Sequence, residues 1–220
     1  MKQNYKIDRL RVIGYNKVKK INGLGACRYL AKSQLAKCSA KSEKFLYLNF
    51  RGSHFKDTNF SAATIKGCDF WGASFNKCNF KNAHISDCVF MACKFKDCNF
   101  DGAKIEYTTI VNTNLSECKK IEFEKRVDIL KQYPECQLEQ ELIDSLEKLK
   151  ENSIIRKCKL LHLPGNKYNK LNLYLLQKKF TEQELPQLFL GMADKSKSEL
   201  RNITTYKKLE NTLKHDKSVI

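Results

Sequence analysis

Residues 46–120 read as fifteen consecutive blocks of five: LYLNF RGSHF KDTNF SAATI KGCDF WGASF NKCNF KNAHI SDCVF MACKF KDCNF DGAKI EYTTI VNTNL SECKK. The fifth letter is Phe, Ile or Leu in fourteen of the fifteen blocks, and the third is Ser, Thr, Ala or Cys in all but the first. Neither a helix nor a strand has a period of five residues. The repeat therefore indicates a chain that turns a corner at each block, with the third and fifth side chains inward and the other three outward.

A second period of twenty residues lies on the first. Alanine returns at the third letter as Ala63, Ala83 and Ala103, each time in a block that ends in Ile. Like residues thus recur every fourth block, so one coil is expected to have four sides of five residues. Stacked coils lie about 4.8 Å apart, so residues 46–119 predict just under four coils and a rod roughly 18 Å long.

The blocks that contain Cys68-Asp69-Phe70, Cys78-Asn79-Phe80 and Cys98-Asn99-Phe100 carry a small residue, then Asp or Asn, then Phe. In this order of residues the stretch resembles the pentapeptide-repeat family. The resemblance covers about a third of the chain and implies a β-solenoid in the form of a right-handed quadrilateral β-helix. It is specific for the fold and says little about function, because most members have no assigned activity.

The flanks of the repeat predict two further parts. Residues 1–45 are interpreted as a basic N-terminal flank with a capping helix over 26–39, preceded by a strand pair that turns at Gly14-Tyr15-Asn16. Open ends of a β-helix expose strand edges and core, so a cap is expected. Residues 120–220 are interpreted as an all-helical C-terminal domain.

The C-terminal domain shows apolar residues at helical spacing in several segments. Thr181-x-x-Glu184 and Ser196-x-x-Glu199 are capping boxes, the second predicted to open the last helix. The tail from His215 is expected to fray. Residues 180–203 have a faint likeness to a bacterial helix-turn-helix, although plain helical packing is the favoured interpretation. The predicted helices span 121–133, 137–151 and 167–180.

The net charge of +17 suggests an anionic partner or surface. Residues 1–45 alone carry a net charge of +10, whereas the repeats carry +2. The flank is interpreted either as a solvated lead-in or as a phosphate-binding arm. The candidate anion-binding residues, called the basic flank below, are Arg9, Arg11, Lys17, Lys19, Lys20 and Arg28.

One side of the predicted coil differs from the other three, whose outward residues are mostly Lys, Asp, Asn and Ser. An apolar stripe on a water-facing side indicates a contact surface. Either the C-terminal helices of the chain or a partner is expected to cover it, so we do not expect it to be bare. This side, called the contact face below, comprises Arg51, Trp71, Val89, Met91 and Val111.

Chemistry-bearing residues give no catalytic or metal motif. Six of the ten cysteines fall on the third letter of a block, where a thiol is a small apolar filler. His54 and His84 occupy outward coil positions, and His162 and His215 have no carboxylate or cysteine at motif spacing. We therefore expect no enzyme activity, no metal and no cofactor. An active site assembled only in three dimensions would leave no such motif in the sequence.

Cysteine usage without a signal peptide or an 18-residue apolar run favours a reducing, cytoplasmic setting. A secreted effector without a cleavable signal is the alternative. No membrane association is expected.

Three functions follow as hypotheses. The favoured one is a non-catalytic interaction protein that binds a macromolecular partner, in the first instance a protein, with a homodimer through the C-terminal helices as one form. The alternative is nucleic-acid binding through the basic flank. The third comes from the resemblance, since some pentapeptide-repeat proteins protect DNA gyrase by presenting an acidic, DNA-like surface; the charge of +17 disfavours it.

Overall fold

A computed structural model describes residues 8–218 and divides the chain into two compact units, Met1–Gln132 and Tyr133–Ile220. The strands of the first unit are β1 Arg11–Ile13, β2 Lys19–Lys20, β3 Gln34–Ala36, β4 Cys38–Ser39, β5 Lys44–Leu46, β6 His54–Lys56, β7 Thr64–Lys66, β8 Asp69–Trp71, β9 Ser74–Asn76, β10 His84–Ser86, β11 Val89–Met91, β12 Lys94–Lys96, β13 Lys104–Glu106, β14 Thr109–Val111 and β15 Asp128–Leu130. The second unit contains α1 Gln140–Lys150, α2 Ser153–Lys157, β16 His162–Leu163, β17 Lys167–Tyr168, α3 Lys170–Gln177, α4 Glu184–Ala193, α5 Lys197–Leu200 and α6 Tyr206–Lys217.

The first unit is a β-solenoid, which confirms the predicted fold class. Its strands form parallel sheets in the orders β1-β3-β6-β9-β12, β13-β10-β7-β5, β15-β14-β11-β8 and β2-β4. Single bridges continue the fourth side through Ser39, Asn59, Asn79, Asn99 and Lys119. Within the repeats, each residue pairs with the residue twenty positions later, as Phe55 does with Phe75. Each coil thus has the four sides that the sequence predicted.

The core consists of the fifth-letter side chains, stacked along the solenoid. Phe75 is 1% exposed and lies parallel to Phe55 and Phe95, with ring centroids 4.8 and 4.7 Å away. Phe70 and Phe80 of the neighbouring sides meet the Phe75 ring edge-on at 5.4 and 5.7 Å. Stacked and edge-on pairs are the favoured aromatic arrangements, so this core combines area burial with specific ring geometry.

The corners explain the five-residue period. The residue two positions after each inward fifth letter adopts a left-handed conformation, for example Asp57 at φ 47° and Lys77 at φ 52°. Glycine occupies this position at Gly52, Gly72 and Gly102, where the conformation carries no steric penalty. At Gly102 a Cβ atom would also lie 2.3 Å from Asn82 Oδ1, so the corner is closed to side chains there.

The solenoid is longer than the predicted just under four coils. The strand line from β1 to β12 has five members, and a bridge from Lys94 to Asn114 adds a sixth layer. Coils therefore extend beyond both ends of the residues 46–119 that carry the clearest repeat.

The capping helix predicted over 26–39 was wrong. These residues continue the solenoid through β3 and β4, and Lys32 N donates to Arg51 O of the next coil at 2.8 Å. Leu30, Leu35 and Ala40 are buried at the five-residue spacing of the core. This spacing happens to share Ala26 and Leu30 with a helical stripe, and the available ladder hydrogen bonds decide in favour of strands.

The pairing predicted within residues 1–25 was also wrong. β1 pairs with β3 and β2 pairs with β4, both in parallel, rather than with each other. Gly14 to Val18 form a loop between β1 and β2, which changes the offset to the next coil from 23 residues at Arg11 to 19 at Lys19. Residues 1–7 of the predicted flank lie outside the described residues.

The helix predicted over 121–133 was wrong as well. β15 adds to β14 with Thr109 opposite Asp128, an offset of 19 residues. One residue fewer than a standard coil moves the inward positions out of the repeat. The period therefore fades in the sequence although the coil persists in the structure.

The second unit is helical, as predicted, with one antiparallel hairpin formed by β16 and β17. α1 falls within the predicted 137–151 and packs against α4 with Leu142, Leu146 and Leu149 buried. α3 falls within the predicted 167–180. The predicted Pro164-Gly165 turn closes the hairpin, with Gly165 at φ +74°.

Both capping boxes form, but the second opens a different helix from the predicted one. Thr181 and Glu184 exchange hydrogen bonds of 3.0 and 3.2 Å at the start of α4. Ser196 and Glu199 cap α5, which has only four residues, whereas the last helix α6 begins after Thr205 and runs through His215 to Lys217. With so short a second helix, residues 180–203 do not form a helix-turn-helix.

Of the helices between residues 8 and 218, none has the length and apolar character that a membrane span requires.

Replacing Phe75 by Ala should lower the free energy of unfolding by about 3–5 kcal/mol, since it removes a ring that touches four others in a closed core. Lys96→Ala, at an exposed outward position of the next coil, should change it by less than about 0.5 kcal/mol. Urea denaturation followed by circular dichroism measures both. Equal effects of the two substitutions would contradict the inward assignment of the fifth letter.

The repeat thiols should be inert in the folded protein because the thiolate is the nucleophile and burial disfavours it. Burial raises the pKa of Cys93 to about 12, and it also raises the pKa of the partly exposed Cys118 to about 12. Alkylation with iodoacetamide near pH 8, read by peptide mass spectrometry, should modify Cys27 first and leave Cys68, Cys78 and Cys88 unmodified until urea is added. Rapid labelling of the latter three in the native protein would refute their placement.

Candidate interaction surfaces

The contact face is one continuous surface in the structure. Trp71, Met91 and Val111 are direct neighbours across β8, β11 and β14. Gly52 N donates to Trp71 O and Gly72 N donates to Met91 O, each at 2.7 Å. The backbone ladder thus fixes the spacing of the outward side chains.

Arg51 extends the contact face by one coil. Its guanidinium carbon lies 4.1 Å from the centroid of the Trp71 ring. Such a cation–π contact contributes about 0.5–1 kcal/mol in the open and about 2 kcal/mol when desolvated. The stacking holds both side chains flat along the strands, so the surface is ordered before any partner arrives.

The burial of the contact face is uneven. Trp71 is 8% exposed, Val89 1% and Val111 0%, whereas Arg51 and Met91 stay partly exposed. The Trp71 Nε1 donor is buried and has no hydrogen-bond acceptor within residues 8–218. A buried donor that lacks an acceptor costs about 1–3 kcal/mol. This indole is the position on the face where an additional acceptor would stabilise the protein most.

The basic flank occupies the first turn of the solenoid rather than a separate arm. Arg11 lies on β1 and Lys19 and Lys20 form β2, so adjacent sides of the same turn carry them. All three are exposed, as are Arg9 and Lys17. The structure therefore brings these five cations to one end of the unit.

Arg28 differs from the rest of the basic flank. Its guanidinium is paired with the Asp8 carboxylate and donates to Leu24 O at 2.7 Å. Its charge is thereby partly neutralised, and the residue ties down the loop before the regular coils.

A feature that the sequence did not indicate is a cavity of about 290 Å³ in the second unit, lined by residues of α1, α2 and the β16–β17 hairpin. Its basic side chains are spread over residues 150–167 without motif spacing. Only the fold of this unit brings them together.

Comparisons with known proteins agree with this architecture. The profile of the family described as Pentapeptide repeats matches residues 47–82 and 83–119, with eight copies of the repeat. No curated protein matches the chain.

Three solved structures illustrate the likeness. A trypsin-treated form of QnrB1, a plasmid-mediated fluoroquinolone resistance protein, is 21% identical, with 56% of this chain and 67% of that chain covered and a TM-score of 0.44. Rfr23, a pentapeptide repeat protein from the cyanobacterium Cyanothece 51142, is 13% identical over 55% of this chain and 87% of its own, with a TM-score of 0.29. A pentapeptide repeat protein from the Arabidopsis thaliana thylakoid lumen is 14% identical over 76% and 88%, with a TM-score of 0.22.

Nothing about partners follows from similarity this low. The matched repeats, the four-sided coil and the stacked phenylalanines nevertheless lead to one assignment: the repeat region of this chain belongs to the pentapeptide-repeat family.

Proposed function

We propose that this protein is a non-catalytic interaction protein, and that its solenoid presents the contact face to a macromolecular partner, in the first instance another protein. The observation that carries the proposal is the side chain of Trp71, which is stacked under Arg51 with its Nε1 donor lacking an acceptor in the described chain. An acceptor supplied by a partner would complete this surface.

The composition of the contact face supports a protein partner. Trp, Arg and Met are enriched in protein interfaces, and Trp and Arg dominate binding hot spots. The hydrogen-bonded coils hold these side chains in place, so little conformational entropy is lost on binding. The rod therefore suits recognition better than a flexible loop would.

The solenoid interior supports a non-catalytic role. Nine side chains of the stacked core enclose a void of only about 10 Å³, which is smaller than any substrate. The proposed setting is the cytoplasm, since Cys68, Cys78 and Cys88 are buried thiols of the core, and thiols persist most readily in a reducing compartment.

Site-specific photocrosslinking tests the contact face. Benzoylphenylalanine placed at Met91 should form adducts with a second polypeptide when the protein is irradiated in cells of its source. The same probe at Lys96, an exposed position on another side of the solenoid, serves as the control and should form few or none. Light scattering on the purified protein then shows whether the partner is a second copy of the chain.

A charged substitution provides the quantitative form of this test. Met91→Lys should weaken binding of the crosslinked partner by at least about tenfold, because it places an ammonium group between Trp71 and Val111. Lys96→Met is the matched control and should leave the affinity within about twofold. Adducts confined to the chain itself, or equal affinity of the two variants, would refute the contact face as a partner site.

The second candidate is nucleic-acid binding through the basic flank, favoured by the exposure of Arg11, Lys19 and Lys20 on one turn. Phosphate contacts release counterions, so the affinity must fall with salt. Fluorescence anisotropy with short DNA and RNA duplexes between about 50 and about 200 mM salt measures this dependence.

Replacing Arg11, Lys19 and Lys20 by Gln should reduce the slope of log affinity against log salt by about 2–3, at about 0.9 per phosphate contact. Replacing Lys44, Lys66 and Lys104 by Gln removes the same charge from another side of the rod and should leave the slope unchanged. Identical slopes for the two triple variants would show that only net charge matters and would exclude a site on the basic flank.

A further inference from the structure

The cavity in the second unit has a strongly basic wall. Its charged and titratable lining comprises Glu147, Lys150, Arg156, Lys159, His162, Lys167 and Tyr168. α1 supplies the first two, α2 supplies Arg156, and the β16–β17 hairpin supplies His162, Lys167 and Tyr168. Because separate elements contribute, the cavity exists only in the folded unit.

The carboxylate of the wall is already satisfied. Tyr168 Oη donates to Glu147 Oε1 at 2.5 Å, and Lys150 Nζ lies 2.9 Å from Glu147 Oε2. These two contacts hold the pKa of Glu147 below its usual range, while burial together with the Glu147 contact raises the pKa of Tyr168 to about 12. Glu147 therefore stays ionised and is balanced by Lys150.

Two cations of the wall have no such balance. Arg156 and Lys167 are exposed and form no ion pair with any residue from 8 to 218. With Lys150 set against Glu147, the lining keeps a formal net charge of +3, to which Lys159 also contributes. Cations that converge around a concave surface raise the local concentration of anions.

His162 adds a buried polar group to this wall. The residue is only 5% exposed, and its Nε2 lies 2.9 Å from Leu146 O, a carbonyl that can only accept. The proton therefore sits on Nε2. Nδ1 is buried and has no hydrogen-bond partner within the described chain. Since the ring is held in place by Leu146 and by an edge-on contact with Tyr168 at 5.9 Å, the orientation of Nδ1 is fixed.

We propose that this cavity binds a small phosphoryl or sulfuryl anion, held by Arg156 and Lys167 with Lys159 beside them, and that His162 takes up a proton at Nδ1 and donates it in a hydrogen bond to an oxygen of the bound anion. Arginine and lysine are the usual ligands of such tetrahedral anions, whose oxygens accept several charge-assisted hydrogen bonds. A volume of about 290 Å³ lies at the lower end of ligand pockets, which suits a small anion or a small ester of one. This site is independent of the contact face.

Protonation links the site to pH. Burial lowers the pKa of His162, with Lys150 and Arg156 adding to the effect, so the ring is neutral in the empty site near neutral pH. Glu147, Tyr168, Lys159 and Lys167 are the other titratable groups of the surrounding elements. A bound anion favours the imidazolium and raises its pKa. Binding then takes up a proton, and the affinity must increase as the pH falls.

Isothermal titration calorimetry with sulfate on the full chain tests the site, because the charge of sulfate is constant across the pH range of histidine. Arg156→Gln with Lys167→Gln should weaken sulfate binding by at least about tenfold. Lys179→Gln with Arg201→Gln removes one Lys and one Arg that are exposed elsewhere in the unit, and should change it by less than about twofold. Absence of sulfate binding, or equal losses in both double variants, would overturn the proposal.

The wild-type protein should bind sulfate more tightly at about pH 6 than at about pH 8, by at most about tenfold per pH unit for one proton. The His162 ring resonance should shift on addition of sulfate in a nitrogen-detected magnetic resonance experiment. An unchanged resonance with pH-independent binding would remove His162 from the site. Inorganic phosphate and methyl phosphate, titrated in parallel, distinguish a free ion from an ester as the preferred ligand.

Discussion

The solenoid depends on the pairing of two constraints in every block of five residues: a large side chain that must point inward and a corner that must turn the backbone. The corner places a residue in the left-handed region, as at Asp57 and Gly72, and the next strand then faces a new direction. Burial of the inward ring stabilises the turn that the left-handed residue would otherwise disfavour. Because each coil supports the next through parallel ladders, stability builds up along the rod as in other repeat proteins.

This construction separates structure from recognition. The inward letters are restricted to large apolar and small residues, since the core has almost no free volume. Outward letters carry no such restriction, and the backbone ladder holds them in straight columns. A change of chemistry in one column, as from Lys and Asn to Arg51, Trp71 and Met91, therefore produces a surface without disturbing the fold.

The second unit works by a different principle. Its helices pack through leucines on α1, α3 and α4, and no period links its polar residues. The cavity wall arises where the end of α1, the short α2 and the hairpin converge, so its basic residues meet only through tertiary folding. Two units thus offer two kinds of surface, a flat ordered face on the rod and a small basic cavity among the helices.

The sequence by itself determined the four-sided solenoid, the inward residues and the outward contact column, because a strict period translates directly into direction. It also located α1, α3 and both capping boxes from local spacing. Only the tertiary structure decided the coils at residues 11–39 and 121–130, where an inserted loop and an offset of 19 residues disturb the period while ladder hydrogen bonds to the neighbouring coil maintain the strands. The same holds for the buried His162 Nδ1 and the cations around it, since burial and convergence are properties of the packed chain and leave no pattern in the order of its residues.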